Sequence, residues 1–307
     1  MKVYRNVHEM IGETPVIEIT QFSLPEGVRI FAKLEYYNPG GSVKDRLGRE
    51  LLHAAIENGL IAEGGTIIEP TAGNTGIGLA LAAINSGITV MFCVPEKFSA
   101  EKQELMKALG AKVIHTPTEE GMKGAIAKAQ ELLQEIPGSY CPQQFANPSN
   151  PAAYYKTLGP EIWEQLDGEV DVFIAGAGTG GTFMGTSRFL KEQNSQIKTV
   201  IVEPVGSILN GGEAGPHKTE GIGMEFLPEY MDESYFNEIY TVSDEDAFNL
   251  VGELARKEGL LVGSSSGSAF SAALKEAKKA KPGTNIVVIF PDSSERYMSK
   301  KIYQGGS

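Results

Sequence analysis

Several residue types and patterns are scarce in this chain of 307 residues, and each absence excludes a class of protein. There are only two cysteines, Cys93 and Cys141, and Cys93 lies in an apolar run, so we expect no disulfide framework and a reducing, cytoplasmic location. The four histidines have no metal-ligand spacing with one another or with the cysteines, so we expect no metal site. No run of about 18 apolar residues occurs, and the chain begins without an apolar signal-peptide core, so we expect neither a membrane span nor a leader.

Basic residues are in the minority, with 27 Lys+Arg against 39 Asp+Glu and a formal net charge of -12. They are scattered along the chain and form no cluster. Because nucleic acids and anionic membrane surfaces are bound through basic patches, the sequence predicts neither partner. The 41% hydrophobic content is ordinary for a globular protein and excludes disorder along the whole chain.

Glycine, in contrast, is abundant, with 36 residues and no repeat that accounts for them, which indicates tight turns and ligand loops. Short β-branched runs alternate with segments of helical periodicity, and this alternation predicts an α/β fold with parallel sheets and helices on both faces. The predicted strands are 28–35, 66–69, 89–94, 112–116, 171–175, 199–203 and 285–290. The predicted helices are 45–58, 75–85, 100–109, 120–135, 152–166, 182–192, 245–258 and 268–280.

Two interruptions of this alternation are prominent. The Asn/Pro-rich segment 147–151 is a candidate domain boundary. The Gly/Pro-rich segment 210–217 is interpreted as a surface loop bordering a site, with His217 as its candidate site residue. Local signals also mark helix starts: Ser99 is predicted to cap the helix that follows it, and Ser243 with Asp246 resembles a capping box.

Three glycine-rich loops each follow a predicted strand and open a helix, which is where open α/β sheets bind ligands. The first is Asn-Pro-Gly-Gly-Ser-Val-Lys-Asp-Arg at 38–46. Its Lys44 stands at a helix start, where the positive end of the helix dipole disfavours a cation. Lys44 is either a solvated surface lysine or a lysine held as an imine, which carries less charge and can act as a base.

The second loop is Glu-Pro-Thr-Ala-Gly-Asn-Thr-Gly at 69–76. Backbone N–H groups at the helix N-terminus, together with the hydroxyls of Thr71 and Thr75 and the amide of Asn74, would form a cradle for a carboxylate. The alternative is that these three side chains only cap the following helix.

The third loop is Gly-Ala-Gly-Thr-Gly-Gly-Thr at 176–182, after an apolar strand. Its backbone N–H groups would hold a phosphate at the helix N-terminus without a basic side chain. The spacing of Gly176, Gly178 and Gly181 also fits a dinucleotide fingerprint, with Glu203 at the required distance on the next strand. This loop alone therefore leaves a nicotinamide-dependent dehydrogenase open.

The order of the motifs distinguishes these alternatives. Loops 38–46 and 69–76, then Gly-Thr-Gly-Gly-Thr at 178–182 and Gly-Ser-Ser-Ser-Gly at 263–267, resemble the pyridoxal-phosphate-dependent cysteine synthase/cystathionine β-synthase family. The resemblance runs from residue 11 to residue 297. It implies a tryptophan-synthase-β-like fold of type II: two open, twisted, mostly parallel sheets flanked by helices, with the cofactor in the interdomain cleft, and a homodimer. The implied domains are 1–12 with 35–147, and 13–34 with 148–307.

By the same resemblance, the cofactor is pyridoxal 5'-phosphate and Lys44 is the catalytic lysine, linked to the cofactor as an imine and, once released by substrate, moving the Cα proton. Asn74 would hydrogen-bond the phenolic oxygen of the cofactor, and Ser265 would face its pyridine nitrogen, with Ser264 as the alternative. The cofactor phosphate would be held by Gly178, Thr179, Gly180, Gly181 and Thr182. The substrate carboxylate would be bound by Thr71, Ala72, Asn74, Thr75 and Gln144.

Five segments, 76–80, 94–97, 206–209, 220–223 and 258–261, resemble a minimal bacterial cystathionine β-synthase more than a cysteine synthase. The expected reaction is β-replacement on O-acetylserine, or serine, by homocysteine through an aminoacrylate intermediate, giving cystathionine for cysteine biosynthesis by reverse transsulfuration. Cysteine synthase activity with sulfide is the alternative, and serine or threonine dehydratases on the same fold are more remote. Because no haem-binding extension or regulatory pair is recognised, neither haem nor adenosylmethionine control is expected.

One residue departs from the family pattern: Ala72 stands where the substrate loop usually carries serine. Because help in expelling hydroxide would be missing, we expect a preference for O-acetylserine over serine. At the pyridine nitrogen, a hydroxyl makes the ring a weaker electron sink than a carboxylate would, which favours prompt loss of the β-substituent. A nicotinamide dehydrogenase is the remotest alternative, since it leaves Lys44 unexplained.

Overall fold

The computed structural model describes residues 3–303, which fall into two compact units. The first unit contains the chain up to Ile11 and residues Lys44–Asn150. The second unit contains residues Gly12–Val43 and the chain from Pro151 onward. Met1 and Lys2, at the start for which no leader is expected, lie outside the described residues.

The segment 35–43 belongs to the second unit, whereas the sequence-based division assigns it to the first. Main-chain contacts explain the difference. The N–H of Val43 donates to the carbonyl of Pro291 at 2.9 Å, and Ser42 forms a β-bridge with Asp292. The chain therefore passes into the first unit only at Lys44, where a helix begins.

Within the described residues the chain forms ten strands and nine α-helices. The strands are β1 (Val16–Glu18), β2 (Arg29–Leu34), β3 (Thr66–Pro70), β4 (Thr89–Pro95), β5 (Lys112–Thr116), β6 (Ser139–Tyr140), β7 (Val172–Gly176), β8 (Lys198–Pro204), β9 (Glu238–Val242) and β10 (Asn285–Phe290). The helices are α1 (Lys44–Glu57), α2 (Asn74–Ala83), α3 (Ala100–Ala108), α4 (Gly121–Glu135), α5 (Ser149–Lys156), α6 (Leu158–Gln165), α7 (Gly181–Gln193), α8 (Asp244–Glu258) and α9 (Ser264–Lys279).

Each unit is built on its own sheet. In the first unit four parallel strands lie in the order β5-β4-β3-β6, with α2, α3 and α4 packed against them. In the second unit six strands lie in the order β1-β2-β10-β7-β8-β9, all parallel to their neighbours except β1, which is antiparallel to β2. Every residue of β10 is buried, as expected for a strand covered on both faces. The predicted fold class, two mostly parallel sheets with flanking helices, is confirmed.

Helices α1 and α2 touch backbone to backbone, which fixes where α1 begins. A Cβ atom at Gly48 would overlap the carbonyl group of Gly78, and a Cβ atom at Gly78 would overlap the carbonyl group of Lys44. Only glycine at both positions allows this approach. The first residue of α1 is thereby held against the second turn of α2.

Some predicted elements are wrong in extent. The predicted helix 152–166 is two helices, α5 and α6, which meet at Thr157. Pro160 explains the break, since a proline lacks an N–H and its ring clashes with the carbonyl four residues earlier. The helix predicted at 268–280 begins at Ser264 instead. The strands β1, β6 and β9, absent from the prediction, each lie at a sheet edge, where only one side of the strand is paired.

The predicted helix caps have mixed outcomes. Ser243 caps α8 as predicted, because its side chain accepts a hydrogen bond from the N–H of Asp246 at 3.1 Å. Ser99 does precede α3, but in a left-handed conformation with φ of 47°, and its side chain makes no capping hydrogen bond.

No helix within residues 3–303 is both long enough and apolar enough to cross a membrane. In the same range, no group of three or more His, Cys, Asp or Glu residues is placed to hold a metal ion. Both cysteines are free thiols, with Cys93 buried and Cys141 half-buried.

Candidate active site

Lys44 is the first residue of α1, as the loop pattern predicts within one residue. The residue as a whole is only partly accessible to solvent, and its ammonium group has lost much of its hydration. Burial therefore lowers the pKa of Lys44 to about 8. A desolvated amine of this kind does not fit a solvated surface lysine, and it is neutral more readily than an ordinary lysine.

The candidate substrate loop joins β3 to α2, and the hydroxyls of Thr71 and Thr75 do not cap that helix. The N-cap of α2 is Gly73, which offers no side chain. The N–H of Gly73 donates to the hydroxyl of Thr71 at 3.3 Å, and the hydroxyl of Thr75 points elsewhere, donating to Gln144. Thr71 and Thr75 are buried, whereas Ala72 and Asn74 are partly exposed. The capping alternative is therefore wrong for Thr75, and the N-cap residue Gly73 makes no side-chain capping hydrogen bond.

Gln144 lies far from this loop in sequence but next to it in the structure. Its Oε1 atom accepts the hydroxyl proton of Thr75 at 2.7 Å, and both residues are buried. Its main-chain carbonyl accepts a hydrogen bond from Asn150 Nδ2, also at 2.7 Å. Two of the predicted substrate-binding residues are thus in direct contact.

Sequence analysis assigned no role to Glu69, the first residue of loop 69–76, which connects these two segments. Its carboxylate accepts the main-chain N–H groups of Gln143 at 3.0 Å and Gln144 at 3.3 Å, and the thiol of Cys141 at 3.3 Å. Burial raises the pKa of Glu69, and these three donors oppose that shift without cancelling it. The available signal in the sequence was a carboxylate directly after the apolar pair Ile67-Ile68 of a buried strand.

The third glycine-rich loop joins β7 to α7 in the second unit, as predicted. Gly180 is the N-cap of α7 with φ of 82°, and it provides no side-chain cap. A Cβ atom at Gly178 would overlap the main-chain oxygen of Gly221, and one at Gly180 would overlap the sulfur of Met231. The tyrosyl hydroxyl of Tyr230 donates to the carbonyl of Thr179 at 2.8 Å. The N–H of Gly181 donates to the hydroxyl of Thr179 at 3.5 Å. Backbone N–H groups at a helix N-terminus form a binding site for an anion such as phosphate.

Ser265 lies in the first turn of α9, near the same loop. It is 2% exposed, and its hydroxyl lies 3.9 Å from the position that a Cβ of Gly221 would occupy. The neighbouring Ser264 uses its hydroxyl to accept the N–H of Glu220 at 3.1 Å. Because Ser264 is engaged in this way, Ser265 is the better candidate for contact with a ligand.

Glu203, the acidic residue of the dinucleotide fingerprint, is committed to the protein itself. It is fully buried at the end of β8, and its carboxylate accepts the N–H groups of Leu209 at 2.8 Å and Asn210 at 3.0 Å. The hydroxyl of Thr241 donates to it at 2.9 Å. A carboxylate so occupied is not available to bind a ribose, which removes the main support for a dehydrogenase.

His217 ends the Gly/Pro-rich loop and packs on the segment that contacts Gly178. Its Nδ1 atom lies 2.7 Å from the carbonyl oxygen of Thr219, and its ring fills the space beside the Cα of Gly223. The N–H of Gly223 in turn donates to Ala177 at 2.8 Å. His217 therefore supports the wall of the candidate phosphate loop.

The chemistry of these groups, considered in each unit separately, fits pyridoxal phosphate. A desolvated amine at Lys44 suits reaction with an aldehyde, which requires the neutral form of the amine. The glycine-rich loop at the start of α7 offers main-chain N–H groups of a helix N-terminus to a phosphate. The buried hydroxyl of Ser265 can accompany a pyridine nitrogen.

The sequence matches the protein family described as pyridoxal-phosphate dependent enzyme over residues 7–292. It is 64% identical over 306 residues, with full coverage of both chains, to a Bacillus subtilis (strain 168) protein named O-acetylserine dependent cystathionine beta-synthase. It is 54% identical over 305 residues, 99% of this chain and 100% of the other, to a Helicobacter pylori (strain ATCC 700392 / 26695) protein named cysteine synthase. The crystal structure of O-acetylserine dependent cystathionine beta-synthase from Helicobacter pylori matches with a TM-score of 0.94 at 54% identity, covering 99% of this chain and 100% of that one.

Proposed function

The chain belongs to the family of pyridoxal-phosphate-dependent enzymes, and we propose that it replaces the acetoxy group of O-acetylserine by the thiol sulfur of homocysteine. The products are cystathionine and acetate. The observation that carries this proposal is the full-length similarity to the Bacillus subtilis and Helicobacter pylori proteins whose names state O-acetylserine-dependent cystathionine synthesis.

A second candidate is cysteine synthesis, in which sulfide takes the place of homocysteine. The similarity to a Helicobacter pylori protein named cysteine synthase favours it. Both reactions share the loss of acetate from O-acetylserine and differ only in the sulfur nucleophile, so one competition experiment distinguishes them.

Lys44 is the proposed catalytic residue. When bound, pyridoxal phosphate supplies an electron sink for the negative charge that develops at Cα of the substrate. Lys44 would carry the cofactor and, once displaced by the substrate amine, take up and return the Cα proton. A lysine does this near neutral pH only when its pKa is lowered, and desolvation lowers it here to about 8.

The substrate carboxylate is proposed to bind at the start of α2. The main-chain N–H groups there and the positive end of the helix dipole favour an anion. Gln144 would hold the carboxylate from the other side, because its Oε1 atom already accepts from Thr75 and its Nε2 end is the one that can donate. The residues assigned to this role are Thr71, Ala72, Asn74, Thr75 and Gln144, and Asn74 would also hydrogen-bond the cofactor's phenolic oxygen.

The cofactor phosphate and pyridine ring are proposed to be held by the second unit. The phosphate would be bound by Gly178, Thr179, Gly180, Gly181 and Thr182, at the N-terminus of α7. Ser265 would face the pyridine nitrogen. A neutral hydroxyl at that position cannot hold the ring nitrogen protonated as a carboxylate would. The ring is therefore a weaker electron sink, which favours prompt loss of acetate.

The proposal includes a homodimer in the cytoplasm. Two free thiols, one of them half-buried, are compatible with a reducing compartment. Light scattering coupled to size-exclusion chromatography measures the mass directly. A particle of one chain would contradict the dimer.

Product analysis by mass spectrometry tests the function. Purified protein with pyridoxal phosphate and O-acetylserine is offered homocysteine and sulfide at equal concentration. Mostly cystathionine is the expected result, whereas mostly cysteine would establish the second candidate. Pyruvate without either product would identify a lyase and contradict both.

A Lys44→Ala variant serves as the control for catalysis. It should lack the visible absorption of covalently bound cofactor and form neither product. Cystathionine formed at the wild-type rate by this variant would contradict the role of Lys44. A nicotinamide-binding signal in either protein would revive the dehydrogenase alternative.

A further inference from the structure

Glu69 occupies a position from which one carboxylate organises two separate segments of the first unit. It lies near the carboxyl end of β3, two residues before Thr71, and is 2% exposed. Its Oε2 atom accepts from the Gln143 N–H at 3.0 Å and from the Cys141 thiol at 3.3 Å, and its Oε1 atom accepts from the Gln144 N–H at 3.3 Å. Two consecutive N–H groups are therefore clamped by one side chain 74 and 75 residues away in sequence.

The clamped segment, whose Pro142 and Gln143 carbonyls accept hydrogen bonds from Asn147 and Ala146, has an unusual main-chain shape. It leaves the two-residue edge strand β6, and Gln143 has a φ of 54°, a conformation that non-glycine residues rarely adopt. A residue held in this way persists only when surrounding contacts determine it. The two hydrogen bonds to Glu69 are such contacts, and they set the direction in which the side chain of Gln144 leaves the main chain.

The direction of Gln144 matters because its amide must meet Thr75. The 2.7 Å hydrogen bond from Thr75 to Oε1 orients the amide, so that Nε2 becomes the donor end. The carbonyl of Gln144 is fixed independently by Asn150 Nδ2. Glu69 therefore precedes Thr71 by two residues in the chain, and its carboxylate accepts a hydrogen bond from the main chain of Gln144.

We propose that Glu69 is a positioning residue for binding of the substrate carboxylate. It holds the main chain of Gln144 so that the side chain of Gln144 meets Thr75. The inference rests on the proposed function, because it takes residues 71–75 and Gln144 as the carboxylate site. Glu69 itself is not expected to touch the substrate. Its effect should therefore fall on binding of the amino-acid donor and leave the second substrate unaffected.

A matched control exists in the second unit. Glu203 ends β8 and also accepts two consecutive main-chain N–H groups and one side-chain proton, from Leu209, Asn210 and Thr241. The loop that it clamps carries none of the proposed cofactor or substrate residues. Replacing either glutamate by glutamine exchanges one acceptor oxygen for an NH₂ group that faces a main-chain N–H, so the two variants suffer the same local defect.

The experiment compares Glu69→Gln, Glu203→Gln and wild type as holoenzymes. Bound cofactor is measured from its visible absorption, donor binding from the spectral change on titration with O-acetylserine, and the KM for homocysteine from steady-state rates. We expect normal cofactor content in both variants. Glu69→Gln should bind O-acetylserine about tenfold to about a hundredfold more weakly, as for loss of a hydrogen bond to a charged group, with an unchanged KM for homocysteine.

Three outcomes would overturn the inference. Glu69→Gln could bind O-acetylserine as tightly as wild type, both variants could weaken donor binding equally, or the KM for homocysteine could rise in parallel. The second and third outcomes would indicate a general packing defect. If Glu69→Gln does not fold, Glu69→Asp decides the question, because it keeps the charge but cannot reach both N–H groups. Unimpaired donor binding by the aspartate variant would overturn the inference as well.

The same measurements separate this inference from the proposed function. If wild type releases no acetate from O-acetylserine, the proposed function is wrong. Titration with L-methionine, an amino acid without a β-leaving group, then still reports carboxylate binding through the cofactor spectrum. Weaker binding of L-methionine by Glu69→Gln alone would support the positioning role, and equal binding by all three proteins would contradict it.

Discussion

Lys44 should react with the aldehyde of pyridoxal phosphate at pH values where an ordinary lysine is almost inert. Only the neutral amine attacks a carbonyl carbon. With a pKa of about 8, about one-tenth of the Lys44 amine is neutral at about pH 7. For a lysine at the ordinary value of 10.5 the neutral fraction is about 0.03%, so burial raises the reactive fraction about 300-fold.

The same shift has a consequence for stability. A lysine whose pKa is lower in the folded chain binds fewer protons there than in the unfolded chain between about pH 8 and pH 10.5. The free energy of unfolding of the cofactor-free protein should therefore rise with pH through this window, relative to a Lys44→Met variant. Below about pH 8 the full penalty applies, at most about 3 kcal/mol, since Lys44 is partly accessible.

The assay starts from protein stripped of its cofactor. Pyridoxal phosphate is added at a series of pH values, the covalent adduct is reduced with borohydride at set times, and modification of the Lys44 peptide is quantified by mass spectrometry. The aldehyde itself titrates, so the reaction of Nα-acetyllysine is measured in parallel and used as the reference. The ratio of the two rates should be largest below about pH 8 and should fall about tenfold per pH unit above it.

A ratio that stays constant from neutral pH to about pH 10 would refute the reasoning, because Lys44 would then titrate like a lysine in water. Labelling of other lysines in a Lys44→Ala variant at the rate at which Lys44 is labelled in wild type would also refute it. Urea unfolding of the cofactor-free proteins gives an independent check. Wild type and Lys44→Met should converge in stability at high pH, and a difference independent of pH would show that packing, not charge, separates them.

Three further substitutions test the rest of the site. Gly178→Ala would drive a Cβ into the main-chain oxygen of Gly221, which cannot move aside as a side chain can. The affinity of the cofactor-free protein for pyridoxal phosphate should therefore fall at least about tenfold. Gly215→Ala, where a Cβ meets nothing closer than 3.9 Å, is the control and should leave that affinity unchanged. Ser265→Asp should increase pyruvate relative to cystathionine, because a carboxylate strengthens the electron sink, and an unchanged product ratio would contradict that role. Ala72→Ser should raise the rate with serine relative to O-acetylserine, and comparable use of both donors by wild type would rule out the role assigned to Ala72.

The strand-to-helix loops were predictable because glycine leaves a local trace. At Gly178 a main-chain oxygen approaches too closely for a Cβ, and Gly180 has a positive φ of 82°, so the glycine pattern in the sequence records both constraints. The start of α9 was not predictable by the same means. Ser264, Ser265 and Ser266 are poor helix formers in isolation, but all three are buried in the first turn, so tertiary packing overrides their propensity.

The contacts made by Glu69 lay beyond any local reading of the sequence. Its partners follow more than 70 residues later, and the edge strand β6 that brings them there has only two residues and no recognisable alternation. The Thr75 hydroxyl was likewise expected to serve either a carboxylate or a helix cap, whereas it donates to Gln144. Pairings at long sequence separation depend on the register of the sheet, which periodicity alone does not give.

The two buried glutamates share a sequence context that the fold explains. Ile-Ile-Glu-Pro ends β3 and Ile-Val-Glu-Pro ends β8, each the last part of a buried parallel strand. Proline has no N–H to continue the ladder, so the strand stops and the carboxylate before it is left facing the main chain of a neighbouring loop. A buried carboxylate needs hydrogen-bond donors, and two consecutive N–H groups supply them in both units. The motif itself therefore explains loop anchoring and says nothing about chemistry. A functional role follows only from the identity of the anchored loop, and the loop held by Glu69 carries Gln144.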